Sequence, residues 1–127
     1  MLAVKPQALK AVLEAKKAGK VRYIGVTGHG RPDGLLNITS RFDFDACMTM
    51  FNYYDRFNFP EIEDVLLSEL LRKNCAVLGM KAMADGYLYR DPETAIRYAL
   101  SLPISSLVVG INKIDHLQQN LKIIENF

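Results

Sequence analysis

The chain has 127 residues, 50% hydrophobic and 24% charged, with a net charge of +2. That composition suits one folded domain, and the charge is too weak to argue for nucleic acid or a membrane surface as partner. No apolar run is long enough to span a bilayer, and MLAVKPQALK has no signal-peptide core. Cys47 and Cys75 sit in or beside apolar runs, without any spacing that suits zinc, so a reduced, cytoplasmic protein is expected.

Pro6 opens a predicted helix to about Ala18, with Leu9, Val12 and Leu13 as its apolar stripe. Lys16 and Lys17 suit its negative end, and Gly19 can stop it. A strand over Val21–Val26 follows, then a Gly- and Pro-marked loop with a short helix from about Pro32 to Ser40. Ala46–Met50 is the second strand, and NYYDRFNF reads as an aromatic loop. Pro60 starts a helix to about Lys73, and Asn74 can end it in the left-handed conformation. Ala76–Met80 is the third strand and KAMADGYLYR its exit loop. Asp91 and Pro92 are set as N-cap and N1 of a helix carrying Ala95, Ile96, Ala99 and Leu100, which stops near Pro103. Ser106–Val109 is the last strand. Asn112-Lys113-Ile114-Asp115 resembles a capping box, starting a helix expected to bury Leu117, Leu121 and Ile124.

The strands begin roughly 25 to 30 residues apart with a helical pattern after each, as parallel βα units require. The first helix has no strand before it, so the pattern reads as the second half of a barrel. The expected class is α/β: parallel (βα) units forming a partial TIM (βα)8 barrel, one half-barrel domain over residues 1–127. A rearranged doubly wound parallel sheet is the alternative. In a half-barrel the inner sheet face, bearing Ile24, Met48, Leu78 and Val108 or their neighbours, has nothing opposite it. Leaving ~400 Å² of apolar surface in water forgoes about 10 kcal/mol. Such a chain is expected to pair with a missing barrel half or to self-associate.

Sites in parallel βα folds form at the carboxyl ends of the strands. Thr27, Gly28 and His29 follow the first strand, and Asn52 and Tyr53 the second. Lys81, Asp85 and Gly86 follow the third, and Gly110, Asn112 and Lys113 the fourth. Gly110 permits close backbone approach, the next helix offers free N–H groups, and Lys113 adds charge, so this cluster can hold a phosphate. On the plainer reading Asn112 caps the helix, Gly110 turns the chain and Lys113 is solvated. His29 is either a ligand contact or proton donor, or an exposed loop histidine. Lys81 either reaches a phosphate or ribose, or snorkels to water. Asn52 either meets a ligand or ties down its own loop in an Asx turn. No catalytic Ser or Cys pairing, GxGxxG or P-loop is present.

Taken in order, GKVRYIGVTGHG, FDFDACMTMFNYYD, NCAVLGMKAMADGYL and AIRYALSLPISSLVVGINKIDHLQQNL resemble the C-terminal half of the aldo-keto reductase family. The resemblance covers nearly the whole chain from about Leu9. It implies a (βα)8 barrel that moves a hydride between NADP(H), or NAD(H), and a small-molecule carbonyl or alcohol. It places Gly110, Asn112 and Lys113 at the cofactor phosphates and Gln119 and Asn120 near the adenine. It places Thr27, Gly28 and His29 near the nicotinamide, Lys81 by the ribose and pyrophosphate, Asn52 at the end of a strand motif, and Met80 where many members stack an aromatic on the ring. Met48 stands where many carry a Gln for the nicotinamide amide, and a thioether cannot replace those hydrogen bonds. The family's catalytic Asp, Tyr, Lys and His belong to the first four βα units, so no catalytic residue is assigned here. The expectation is therefore the cofactor-binding half of such an oxidoreductase, inactive by itself. The alternatives are a non-catalytic nucleotide-binding or assembly module, or an inactive truncated fragment.

Overall fold

Ala46–Met50 (β2) and Ala76–Met80 (β3) pair in parallel along their full length, Ala46 opposite Ala76 and Met50 opposite Met80. Their side chains alternate: Cys47, Thr49, Val77 and Gly79 are buried, whereas Ala46, Met48, Ala76 and Leu78 are half-buried. One face is thus packed and the other partly open, as period-two alternation allows. The computed structural model describes residues 6–127 and adds two three-residue strands, Gly25–Thr27 (β1) beside β2 and Ser106–Val108 (β4) beside β3. All neighbours are parallel and the order is β1-β2-β3-β4. An order that never reverses lacks the switch point of a doubly wound sheet, so that alternative is set aside.

The helices are Pro6–Lys17 (α1), Asp33–Arg41 (α2), Tyr53–Asn58 (α3), Ser68–Arg72 (α4), Pro92–Ser101 (α5) and Ile114–Glu125 (α6). A widened turn over Ile62–Leu67, with i→i+5 bonding, leads directly into α4. The predicted helix from Pro60 is therefore real but not uniformly α. The core lies between these helices and the sheet: Leu35, Ile38, Cys47, Phe51, Leu66, Leu70 and Val77 pack together, with Ile104 against them. Asp91 caps α5 by accepting from the Thr94 N–H, with Pro92 in its first turn, and Asn74 takes a φ of 54° as expected.

Four expectations are corrected. The first strand begins at Gly25, not Val21, because Asp45 takes over the pairing before it: Ile24 N–H donates to Asp45 Oδ2, and the Asp45 and Ala46 N–H groups donate to Ile24 O. Lys16 bonds the same carboxylate and ties α1 to the sheet; this bond, ahead of that from Ile24, holds the Asp45 carboxyl below its ordinary range. Ile24 is buried in step with Val26, so Gly25 and Thr27 take the open face in its place. The NYYDRFNF segment is helical from Tyr53, because Asn52 caps it. In α6 it is Asn120 and Ile123 that are buried, against α5, while Leu117, Leu121 and Ile124 stay 40–48% exposed. The predicted stripe thus points away from the described structure. Val108 and Ile111, in and just after β4, are exposed as well.

Burial pushes the Cys47 thiol up to about 12, with a further push from Cys75. Burial, then the hydrogen bond to Glu63, pushes the Tyr98 hydroxyl up to about 12. The fold favours both neutral forms. Their stabilisation is fully present below the ordinary values of 9.0 and 10.0, and is lost as pH rises from there toward about 12. The Tm is expected to fall steadily above about pH 9. A melting series should show a shallower fall for Cys47→Ala and for Tyr98→Phe; wild-type slopes in both would exclude this origin. Among the described residues no helix is long and apolar enough to cross a membrane.

Candidate functional site

The segment leaving β3 bends sharply. Lys81, Ala84 and Asp85 take φ of 58°, 46° and 55°, and Gly86 takes 102°. Left-handed backbone costs an L-residue about 1 kcal/mol or more, so such a run persists only where other contacts enforce it. Asn52, at the end of β2, supplies the main one. It is buried, its Nδ2 donates to Lys81 O at 2.9 Å and to Asp55 Oδ2 at 2.8 Å, and its Oδ1 accepts from the Asp55 N–H at 2.8 Å. The Ala84 N–H also donates to Lys81 O at 2.8 Å. One amide therefore caps α3 and pins the left-handed Lys81.

The bend leaves a cleft of about 590 Å³ at the carboxyl ends of β3 and β4. Met80 and Val108, paired across the two strands, lie in it. One wall is the exit loop, with Lys81, Met83, Asp85 and Tyr89; the other runs from Val109 through Gly110 and Asn112 to His116 on α6. A side cavity of about 110 Å³ extends it along α6 to Gln119 and Asn120. Asn120 is 7% exposed. No fully buried side-chain nitrogen or oxygen among the described residues goes unpaired, and no side-chain hydrogen bond there involves Asn120, so its amide opens onto this cavity. A Cβ built on Gly110 would meet nothing within 4 Å. The glycine there faces open cleft, not packing.

The structure thus brings together Met80, Lys81, Gly110, Asn112, Gln119 and Asn120. It leaves others apart. Lys113 is the N-cap residue of α6, in extended backbone and without a side-chain cap bond, so the capping box is not formed and Asn112 is not the cap. Lys113 lines a separate depression with Ile114 and Leu117. Thr27 and His29 are exposed beyond β1, two strands from the cleft. Gly28 has a packing reason: a Cβ there would come within 2.7 Å of Leu35. Asn52 is engaged within its own chain, as the Asx-turn reading has it.

His116 and Tyr89 are cleft residues that the sequence reading passed over. His116 was findable: it lies three and four residues before Gln119 and Asn120, on one face of a single helix. Chemically the cleft is apolar at its floor, with one ammonium at Lys81, an imidazole at His116, and the N-terminal turn of α6 as a source of free N–H groups. A long ligand with an anionic middle and planar ends fits that order.

No family model and no curated protein matches the sequence. Solved structures do. The holo form of the aldo-keto reductase AKR11C1 from Bacillus halodurans superposes with a TM-score of 0.72 at 20% identity, covering 91% of this chain and 49% of that one. PA4992 of Pseudomonas aeruginosa, assigned as an aldo-keto reductase, gives 0.64 at 21% identity, covering 90% and 40%. The fold is that of part of an aldo-keto reductase barrel. The chain spans about half the length, or less, of the reductases it matches. In such a barrel the outer strands β1 and β4 would pair with the remaining strands.

Proposed function

We propose that this chain supplies the cofactor-binding part of an aldo-keto-reductase-like oxidoreductase, which moves a hydride between NADP(H) and a carbonyl or alcohol substrate. The observation that carries the reading is the continuous cleft from Met80 to Asn120, joined to a fold that the reductases share. The residues fit a nicotinamide dinucleotide. Met80 and Val108 offer apolar surface to a flat ring. Lys81 and the first N–H groups of α6 suit a pyrophosphate. The Asn120 amide can donate to and accept from a base edge. The bound nicotinamide would supply the hydride; these residues would bind and orient it. NAD(H) fits the same floor and base site. His116, at the start of α6, is the cleft group that would favour a 2′-phosphate. No residue here is assigned as proton donor, so turnover requires the rest of a barrel, whether a partner half or a longer polypeptide.

The test mixes the full chain with a polypeptide carrying the first four βα units of a similar reductase, and follows NADPH oxidation with aldehydes and ketones. NADPH binding by the chain, with turnover only in the mixture, is expected. Binding without turnover in any complemented barrel would instead favour a non-catalytic nucleotide-binding module. No binding in either setting would overturn the proposal.

A further inference from the structure

Among the described residues that line the main cleft, Asp85 is the only acid and Lys81 the only lysine, and the two are bonded. Lys81 Nζ donates to Asp85 Oδ2 at 2.6 Å. The lysine side chain is 26% exposed and the aspartate side chain 65%. Asp85 holds this place at a backbone cost, since its φ is 55°. A glycine would take that conformation freely and would leave Lys81 unpaired. A carboxylate in a cleft otherwise suited to phosphate would repel that phosphate unless it moved. Its exposure lets it move: the freed carboxylate can swing into water at little cost, whereas Lys81 stays at the wall.

We propose that Asp85 is a built-in competitor for Lys81, so that a phosphate-bearing ligand binds by taking the ammonium from Asp85. This rests on the nucleotide reading of the cleft. It adds that Asp85 sets how tightly an anion is held and favours ligands able to outbid a single carboxylate. A pyrophosphate, with more charge and more acceptor oxygens, does so. A monocarboxylate gains nothing by the exchange. No covalent step is involved.

The test titrates the full chain with inorganic pyrophosphate by calorimetry, with NADPH in parallel. Asp85→Asn removes the charge, and asparagine tolerates the left-handed backbone. It is expected to tighten pyrophosphate binding about fivefold, the scale of one partly exposed ion pair. Asp85→Gly, free of the backbone cost, should give the same gain and serves if the asparagine variant folds poorly. In a Lys81→Ala background the gain should vanish, since there is nothing left to compete for. Asp33→Asn, which removes an equal charge from the exposed Arg31–Asp33 pair outside the cleft, should change nothing. Equal affinity in wild type and Asp85→Asn, a gain that survives without Lys81, an equal gain in Asp33→Asn, or no pyrophosphate binding in any variant would each overturn the inference. The full pyrophosphate pattern without NADPH binding would uphold it while refuting the nucleotide reading.

Discussion

Replacing Asn52 by alanine is expected to destabilise the chain by about 1.5–2.5 kcal/mol. Losing a helix N-cap costs about 1 kcal/mol. Losing the bond to Lys81 O, which keeps the Ala84 N–H as its other partner, costs about 0.5–1.5 kcal/mol more. Set against a typical domain stability of ~5–15 kcal/mol, that is a large share. The effect should reach the cleft as well, because the same amide fixes the backbone of Lys81. Asn52→Asp separates the two roles. It keeps the acceptor for the Asp55 N–H, but puts an oxygen against Lys81 O and Asp55 Oδ2 where a donor now stands. Denaturant melts should therefore find the aspartate variant no better than the alanine. A near-wild-type aspartate variant would mean that only the cap matters.

Gly110→Val should do the opposite: leave stability alone and remove binding. A side chain there meets no protein atom within 4 Å at its Cβ, and Gly110 is not among the residues with positive φ. Surface changes of this kind fall within about ±0.5 kcal/mol. The added methyls would stand in both the main cleft and its side cavity, which share Gly110. NADPH affinity should fall at least about tenfold, a loss of about 1.4 kcal/mol. Fluorescence titration beside a thermal melt reads both quantities. Unchanged affinity would place the ligand elsewhere.

The sheet was legible because its signals are local. Ala46–Met50 and Ala76–Met80 are short apolar runs bounded by polar residues, and both were found residue for residue. Asp91-Pro92 announced α5 by the chemistry of its first turn. The misreadings arose where a distant residue decides. Nothing near Val21 indicates that Asp45 will claim Ile24. The α6 stripe is apolar by periodicity, yet which side of a helix is covered depends on α5, not on spacing.

The site was legible in part, for the same reason. Loops after β3 and β4 converge, so Lys81, Gly110 and Asn112 were found by position alone. The family resemblance added Met80, Gln119 and Asn120. His116 escaped, although helical spacing links it to Asn120. The strained backbone of Lys81 left no mark in the sequence, since positive φ is advertised by glycine, asparagine or aspartate and not by lysine. Thr27 and His29 follow the same strand-end rule, but β1 is two strands away, and no rule of sequence spacing measures that separation.

Amide hydrogen exchange of the full chain, with and without saturating NADPH, tests the central claim most directly. The account predicts slowed exchange in the β3 exit loop over residues 81–90 and along residues 109–120, with little change at 27–30. Protection confined to other segments, or none at any NADPH concentration, would contradict it.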